Sequence, residues 1–321
     1  MAATRRNILN NTQDRDRFID ACIALKMEPS GFTTADLGIP SGPRASVSNV
    51  STWDLFVIWH QWAMEQSSSD GRRNAAHTGP VFLPWHRWYL LLLEFQMRRI
   101  LGVGPDDFGI PYWDWAHDGT NNTAAQQRNA LALWGFMGSD SQSFGEVTDG
   151  PFTYSNFPLN IEQGPGQTIR ATDRGLRRSY GTQVSTLPTV DHVNTALAVD
   201  FYDQQQFDRN AEGFRNSLEG WIPNDLTPAL HNRVHVWIGG DMLPGTSPND
   251  PLFFLNHCNV DRIWAQWQQN NPAALYQPQG QSANTTDPLY RQRVGDPMYS
   301  ILSSDPPVSA MLDVSQYYNY G

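Results

Sequence analysis

Apolar side chains recur at helical spacing in several separate segments of the chain. Residues 14–26 place five of them on one face of a helix, namely Phe18, Ile19, Cys22, Ile23 and Leu25. A second helix is predicted from about Ser51 to Gln66, with Ser51 or Thr52 as its N-cap residue. A third is predicted to open at Pro84, because proline is tolerated in the first helical turn. Between these helices, residues 30–50 and 67–80 are predicted to be loops.

The rest of the chain combines shorter helices with long irregular segments. Residues 105–215 contain many Gly, Asn and Pro turns and few stretches with the two-residue period of a strand. Helices are predicted near residues 190–200, 211–219, 226–238 and 250–269, the last of them capped by SPND. The predicted fold class is mainly α with little β and long irregular loops. Because no linker or repeat interrupts the chain, residues 1–321 are expected to form one domain.

Composition and charge narrow the range of partners. Hydrophobic residues make up 40% of the 321 residues and 12 residues are Trp, which is enough for a large core. A formal charge of −10 argues against nucleic acid or an anionic membrane surface as a partner, because both favour a basic face. No apolar run reaches the roughly 18 residues of a membrane span. The N-terminus has no apolar stretch of a signal peptide, so we expect synthesis in the cytoplasm and leave export with a partner protein open.

Six of the eight histidines fall into two groups of three. The A trio is His60, His77 and His86, and the B trio is His231, His235 and His257. Both trios include histidines on predicted helices that are rich in aromatic residues. His231 and His235 are four residues apart, so their imidazoles project from the same helix face.

The setting of these imidazoles favours metal binding. A buried imidazole without a partner costs free energy, so each must be metal-bound or, as is common for a single core histidine, hydrogen-bonded to a backbone carbonyl. Three imidazoles with no cysteine or carboxylate at ligand spacing suit copper better than magnesium, calcium or structural zinc. Three ligands also leave each metal an open position for chemistry. Two copper ions that share a small molecule are therefore predicted, and His117 and His192 are assigned no metal.

Four segments together resemble a known family. HTGPVFLPWHRWYLLLLE (77–94), PYWDW (111–115), LHNRVHVWIGGDM (230–242) and SPNDPLFFLNHCNVDRIW (247–264) are similar to the copper-A and copper-B regions of bacterial tyrosinases, which belong with catechol oxidases and haemocyanins to the type-3 copper proteins. The copper-A region spans about 51–101 and the copper-B region about 226–270. More loosely, the final YYNYG resembles the tyrosine motif that closes the family's catalytic core. The resemblance implies a four-helix bundle holding a dinuclear copper site, with one copper bound by the A trio and the other by the B trio.

The resemblance also implies an activity. Two Cu ions would activate O2 to hydroxylate monophenols to o-diphenols and to oxidise o-diphenols to o-quinones. Copper suits this task because it cycles between Cu(I) and Cu(II), whereas zinc has no redox chemistry. Three alternatives remain: an o-diphenol or o-aminophenol oxidase without monophenolase activity, a dioxygen carrier, and a hydrolytic dizinc enzyme. The last is disfavoured because neither trio has a bridging carboxylate at ligand spacing.

Further site residues follow from the same resemblance. A phenol, with a pKa near 10, must lose its proton before it can ligate copper. In tyrosinases a Glu and an Asn hold a water that assists, and Glu219 and Asn232 match them, Glu219 acting as general base through water. The alternatives are a solvated helix end for Glu219 and an outward-facing polar residue for Asn232. Three more residues are expected at the rim of the substrate pocket, namely Arg233, Val236 and Gly245.

The chain departs from the family pattern in several places. The loop from Glu219 to His231 is longer than in bacterial relatives, which puts the position of Glu219 in question. Asn256 precedes His257 where many relatives have a second histidine. Ala75 excludes the Cys–His thioether that some members form at the second histidine of the A trio. No C-terminal lid domain is expected, and a copper-loading caddie protein is a possible partner, as in some bacterial relatives.

Two aspartates near the motifs have alternative roles. Asp261, one turn beyond His257, would either orient a ligand imidazole by accepting its second N–H or form an ion pair with Arg262 or a neighbouring helix. Asp114, in PYWDW, is expected to be structural and to bond backbone or an arginine.

Overall fold

The computed structural model describes residues 2–129, 134–140, 145–301, 305–315 and 317–321. Within these ranges the chain forms ten α-helices: α1 Thr12–Met27, α2 Thr52–Glu65, α3 Phe82–Leu101, α4 Trp115–Asn121, α5 Ala124–Asn129, α6 Trp134–Met137, α7 Val190–Leu197, α8 Phe214–Glu219, α9 Leu230–Ile238 and α10 Leu252–Asn270. Six short strands are present: β1 Ala3–Arg5, β2 Pro29–Thr33, β3 Asn49–Ser51, β4 Leu159–Gln163, β5 Ile169–Arg174 and β6 Tyr318–Tyr320. The prediction of a mainly α fold with little β is confirmed.

The long helices begin close to where their capping residues predict. Ser51 is the N-cap of α2, where its hydroxyl accepts from the backbone N–H of Asp54 and the Asp54 carboxylate accepts from the backbone N–H of Ser51. Helix α3 begins at Phe82, so Pro84 lies inside its first turn rather than opening it. It ends at Leu101, and the C-cap residue Gly102 has a left-handed φ of 66°, which suits glycine.

One of the predicted helix starts is wrong, and a second differs from the observed start by only two residues. Helix α9 begins at Leu230 rather than 226, because residues 222–225 pair in a turn that precedes it. Helix α10 begins at Leu252, after a short 3-10 turn at Ser247–Asn249. The SPND motif still provides a hydrogen-bond acceptor for the first turn of the helix, since Asp250 accepts from the backbone N–H of Leu252.

Strands form three separate two-stranded sheets in the described chain. β1 pairs in parallel with β6, while β2–β3 and β4–β5 are antiparallel. The β4–β5 hairpin lies within the segment predicted to be irregular. Polar side chains occupy some of its buried positions, so the sequence lacks the alternation of apolar and polar residues that indicates a strand. Glu162 forms ion pairs with Arg170 and Arg174, and Thr172 is fully buried.

Four helices, α2, α3, α9 and α10, surround the region where the histidines converge. Large aromatic side chains fill the space between them: the Trp53 and Phe254 rings meet edge to face at 5.0 Å, and Tyr89 stacks on Phe254. The indoles of Trp59 and Trp85 are also buried. Such close packing fixes the relative positions of the helices to which the histidines belong.

A buried ionic network joins this bundle to both ends of the described chain. Asp261 of α10 accepts from Arg87 of α3 at 2.6 Å and from Arg5 of β1 at 3.2 Å. The hydroxyls of Tyr318 and Tyr320 in β6 also donate to Asp261. Of the two roles predicted for Asp261, the ion pair with a neighbouring helix is therefore the one observed. Asp261 orients no histidine.

Asp114 is structural, as predicted. It caps α4 by accepting from the backbone N–H of His117, and it forms an ion pair with Arg262 at 3.1 Å. None of the helices in the described part of the chain is both long and apolar enough to cross a membrane.

Candidate metal centre

The A trio is assembled from two helices and the loop between them. His60 lies on α2, His86 on α3, and His77 on the connecting loop. Asn74 orders this loop because its side-chain oxygen accepts from the backbone N–H of His77 at 2.7 Å and of Ala76 at 3.0 Å. One ring nitrogen from each histidine lies within 4.8 Å of the others, so the A trio has the geometry of a metal site.

The B trio is assembled from α9 and α10. His231 and His235 project from one face of α9, as their spacing predicts, and His257 faces them from α10. One ring nitrogen from each lies within 4.8 Å of the others. The two trios also touch each other, since the rings of His86 and His257 stack with centroids 4.2 Å apart. The six histidines therefore form one centre.

Backbone carbonyls orient four of these imidazoles. The Nδ1 atoms of His60, His86 and His235 lie 2.6–2.8 Å from the carbonyl oxygens of Gly245, Phe82 and Met242 respectively. His231 Nδ1 lies 3.1 Å from the carbonyl oxygen of Glu219. Because a carbonyl oxygen accepts and cannot donate, each Nδ1 carries the proton and each Nε2 of the neutral ring is left with a lone pair. This is the arrangement that second-sphere hydrogen bonds impose on metal-binding histidines.

Several ring nitrogens of the two trios lack protein partners in the described chain. Five of the six imidazoles have a buried ring nitrogen without a hydrogen-bond partner in the described chain, among them Nε2 of His60, His86 and His235. The Nε2 atoms of His231 and His257 lie 3.0 Å apart, where two lone pairs repel unless a proton or a cation lies between them. An unpartnered buried polar atom costs about 1–3 kcal/mol. Metal coordination would satisfy these atoms, so the residues present fit a pair of metal ions.

The electrostatics of the centre favour neutral ligands. Burial lowers the pKa of His60 to about 3 and that of His235 to about 4, and it lowers the pKa of the other four histidines well below their ordinary value. Neutral imidazole is the form that binds a metal. Neither metal-binding cluster found in the described chain includes a carboxylate or thiol, which favours copper over a hydrolytic dizinc site.

Glu219 lies beside the B trio, at the end of α8. Its carboxylate is fully buried, accepting from the backbone N–H of Thr78 at 2.6 Å and from Arg215 at 2.9 Å. Burial raises the pKa of Glu219, although Arg215 opposes the shift. The long loop does not displace this residue, because the backbone N–H of Ala229 bonds to the carbonyl of Gly220 and closes the loop on itself. Glu219 is thus not a solvated helix end.

Asn232 also lies next to the B trio. Its side-chain oxygen is 3.1 Å from Nδ1 of His231, and its Nδ2 is buried without a partner in the described chain. An amide nitrogen in this position can donate to a molecule in the adjacent cavity. Asn232 is therefore not an outward-facing polar residue.

A cavity of about 650 Å³, called here the histidine cavity, opens onto both trios. Val236 lines it, as predicted for the pocket rim, whereas Arg233 and Gly245 are not among the described residues of its wall. Arg233 donates to the carbonyl of Thr186 at 2.7 Å, and the Gly245 carbonyl is the acceptor for His60. Gly245 thus positions the wall residue His60, and Arg233 holds the segment that follows the wall residues Gln183 and Val184.

Some residues of the wall were not found from the sequence. Trp221, Leu226 and Pro228 come from the loop between α8 and α9, and Leu226 is 80% exposed. The available signal was the apolar content of this loop, GWIPNDLTPAL, which polar residues normally dominate. The remaining histidines lie outside the centre: His117 is exposed, and His192 accepts a hydrogen bond from the backbone N–H of Thr189 at the start of α7.

Comparisons with known proteins agree with this geometry. The family model "Common central domain of tyrosinase" matches residues 50–270. A tyrosinase of Streptomyces antibioticus is 36% identical over 271 residues, 84% of this chain and 88% of the relative. Grixazone synthase of Streptomyces griseus is 35% identical over 248 residues, 68% of this chain and 76% of the relative.

The fold also has counterparts among solved structures. A polyphenol oxidase from Thermothelomyces thermophila superimposes with a TM-score of 0.66 at 20% identity, covering 100% of this chain and 89% of the other. Proteins of the tyrosinase family use a dinuclear copper site with O2, and both histidine trios fall within the matched segment. This chain therefore belongs to the tyrosinase family.

Proposed function

We propose that this chain is a tyrosinase-type, copper-dependent phenol oxidase that hydroxylates monophenols to o-diphenols and oxidises o-diphenols to o-quinones, with O2 as co-substrate. The observation that carries the proposal is the single centre formed by the two trios, in which six neutral imidazoles meet beside an open cavity. Family membership supports the same activity.

In this proposal His60, His77 and His86 bind one copper ion, and His231, His235 and His257 bind the other. Bound copper supplies the redox chemistry that activates O2, because it cycles between Cu(I) and Cu(II). The chain's own contribution is to fix the ligands. The carbonyls of Gly245, Phe82, Met242 and Glu219 each hold an imidazole in one tautomer and one orientation.

Glu219 and Asn232 take part by holding a water that receives the phenol proton. Thr78 and Arg215 fix the Glu219 carboxylate, which keeps lone pairs free for a further donor. Asn232 offers its unpartnered Nδ2 from the adjacent wall. A phenol with a pKa near 10 needs such assistance at neutral pH, since almost all of it is protonated.

The predicted rim residues shape the pocket in different ways. Val236 is a wall residue that an aromatic ring would contact. Gly245 acts through His60: an added Cβ would come within 2.2 Å of the Gln61 side chain and push away the carbonyl that orients this imidazole. Arg233 holds the 183–186 segment, which includes the wall residue Val184.

A second candidate function is an oxidase restricted to o-diphenols or o-aminophenols. The similarity to grixazone synthase fits this candidate, since that relative is 35% identical over 68% of this chain. The two candidates share the copper centre and differ in whether monophenols, whose proton is harder to remove, are also substrates. A dioxygen carrier is a third outcome, which reversible oxygen binding without turnover would support.

The decisive experiment is oxygen uptake by the copper-reconstituted protein with 4-methylphenol and, separately, with 4-methylcatechol. Uptake with both substrates, abolished by a chelator, supports the proposal. Uptake with the catechol alone supports the second candidate. Zinc at two ions per chain, with no copper-dependent uptake of oxygen, would overturn the assignment.

Metal analysis tests the ligands themselves. His257→Ala removes one ligand of the B trio, so we expect copper bound per chain to fall from two ions to one. His117→Ala is the matched control, because this side chain is exposed and lies outside both trios; it should retain two. A His257→Ala variant that still binds two coppers with wild-type affinity would remove His257 from the ligand set.

A copper-loading partner protein is part of the proposal. The ligands are buried beneath a chain of net charge −10, and a basic helper protein would complement that charge. Copper uptake by the isolated chain from a Cu(II) salt is the test. Slow or incomplete occupancy supports a partner, and full occupancy within minutes shows that none is needed.

A further inference from the structure

A second cavity adjoins the histidine cavity. It also measures about 650 Å³, and the two share the wall residues Met64, Asn74 and Thr78. Two of these belong to the loop that includes His77, so this loop separates the cavities. We call the second cavity the arginine basin, after its wall residues Arg72, Arg73 and Arg209.

One of these arginines links the chain segments that line the basin. Arg73 is buried and donates to Asp70 and to the carbonyls of Gln206, Phe207 and Pro288. It therefore joins the loop that includes His77 to the 206–210 segment. A basin held in this way is preorganised, which lowers the entropy cost of binding a ligand.

The other two arginines are available to a ligand. The Arg72 side chain is 54% exposed, and both of its contacts with carboxylates are long, 3.4 Å to Asp208 and 3.9 Å to Asp70. Arg209 is exposed, and no carboxylate in the described chain pairs with it. Both residues line the same cavity, and guanidinium groups bind carboxylates well because their planar forks match carboxylate geometry.

The histidine cavity offers no comparable group. Its described wall has no Lys or Arg, and its one carboxylate, Glu219, is compensated by Arg215. The whole chain has a charge of −10, which repels anionic substrates at long range. The arginine basin is therefore the place beside the centre where an anionic part of a substrate gains free energy.

We propose that the substrate of this enzyme is an extended phenol, namely a tyrosyl residue in an acidic peptide, whose ring enters the histidine cavity while its carboxylates bind Arg72 and Arg209 in the arginine basin. The inference rests on the proposed phenol oxidase function and names its substrate class. Two adjoining cavities of this size hold much more than one phenol ring. The peptide crosses from the histidine cavity to the arginine basin over the residues that both share, namely Met64, Asn74 and Thr78.

The first test compares kcat/KM for N-acetyl-Tyr-Glu-Glu, its neutral Tyr-Gln-Gln amide counterpart, and 4-methylphenol. Arg72→Gln and Arg209→Gln should each lower kcat/KM for the acidic peptide about threefold, and the double variant about tenfold. Values for 4-methylphenol should not change. Arg44→Gln is the matched control, because this arginine is also half-exposed and paired with a carboxylate but lies outside both cavities.

A second test does not depend on chemistry. N-acetyl-Phe-Glu-Glu lacks the hydroxyl, so its binding to the copper-loaded protein is measured by calorimetry without turnover. We expect the double variant to weaken its Kd about tenfold and added salt to weaken binding to the wild type. Failure to oxidise 4-methylphenol would refute the proposed monophenolase function and leave this measurement intact. Oxidation of 4-methylphenol together with equal Kd values for wild type and double variant would overturn the inference alone.

Discussion

At the scale of single residues, the centre depends on which ring nitrogen of each histidine is bonded to the protein. Carbonyl acceptors at Nδ1 fix the tautomer of four imidazoles, and this leaves their Nε2 lone pairs free to bind a metal. Glu219 serves twice, because its carbonyl accepts from His231 and its carboxylate lines the cavity. A substitution of its side chain therefore changes the carboxylate and leaves the ligand contact in place.

Glu219→Gln is expected to lower monophenol turnover by about 10²-fold or more, which is a usual contribution of a positioned general base. Turnover of an o-diphenol should fall far less, since the two hydroxyls of a diphenol lose their protons more readily than a monophenol does. Oxygen uptake with 4-methylphenol and 4-methylcatechol measures both. Asp203 still pairs with Arg215, so the variant is expected to fold. Full monophenol activity in Glu219→Gln would show that Glu219 does not act as the general base.

At the scale of elements, the turn between α8 and α9 aligns Glu219 with His231. Gly220 has a φ of +98°, and an added Cβ would come within 2.0 Å of the carbonyl oxygen of Ala229. Glycine is needed at this position both for the left-handed backbone and for the close approach of the loop end. The turn therefore compensates for the length of the loop that follows it.

Gly220→Ala is expected to destabilise the protein by more than the roughly 1–2 kcal/mol of a left-handed backbone alone. It should also lower monophenol turnover, because the clash displaces Glu219. Gly38→Ala is the control: its φ is +69°, but nothing lies within 4 Å of the added Cβ. Urea unfolding and oxygen uptake measure the two effects. Equal losses of stability in both variants would show that the close contact with Ala229 is relieved at no cost.

The ionic network around Asp261 is a second feature at this scale. Although burial opposes ionisation, Arg87 and Arg5 hold the pKa of Asp261 below its ordinary value. Asp261→Asn leaves buried arginine charge uncompensated, so we expect a loss of about 3–5 kcal/mol. Asp114→Asn is the matched control with a partly exposed partner, Arg262, and should cost under about 1 kcal/mol. Denaturant midpoints of the two variants measure both losses of stability. Equal losses would show that burial of the ion pair does not set the cost of removing it.

At the scale of the whole molecule, the cluster of six imidazoles makes the metal-free protein sensitive to acid. Folding holds their pKa values below the ordinary 6.5, to about 3 for His60 and about 4 for His235. As pH falls below 6.5 the unfolded chain takes up protons that the folded chain does not. Stability is therefore present above pH 6.5 and is lost as pH falls toward the folded values.

We expect the free energy of unfolding of the metal-free protein to fall steeply between pH 7 and pH 5, by up to about 1.4 kcal/mol per pH unit for each histidine concerned. The urea midpoint, which measures it, should fall in parallel. Copper-loaded protein should have the higher midpoint at each pH, because the ions bind the folded state. A midpoint that does not vary between pH 7 and pH 5 would contradict burial of the imidazoles in the neutral form.

The sequence by itself determined the parts that depend on local periodicity and residue chemistry. Helical spacing of apolar residues predicted α1, α2, α3 and α10 within a few residues of their observed ends. The grouping of six histidines, with no cysteine or carboxylate at ligand spacing, predicted a copper centre. These features follow from neighbours along the chain, so no long-range contact was needed to find them.

Only the tertiary structure decided how distant segments meet. Residue spacing could not place Glu219 within hydrogen-bond distance of Thr78, which is 141 positions away, or choose Arg87 and Arg5 as the partners of Asp261. The β4–β5 hairpin was hidden because its buried ion pairs form only when the hairpin does. The arginine basin likewise exists because Arg73 joins two loops that are far apart in sequence. Contacts of this kind depend on the packing of the whole chain, which local patterns do not encode.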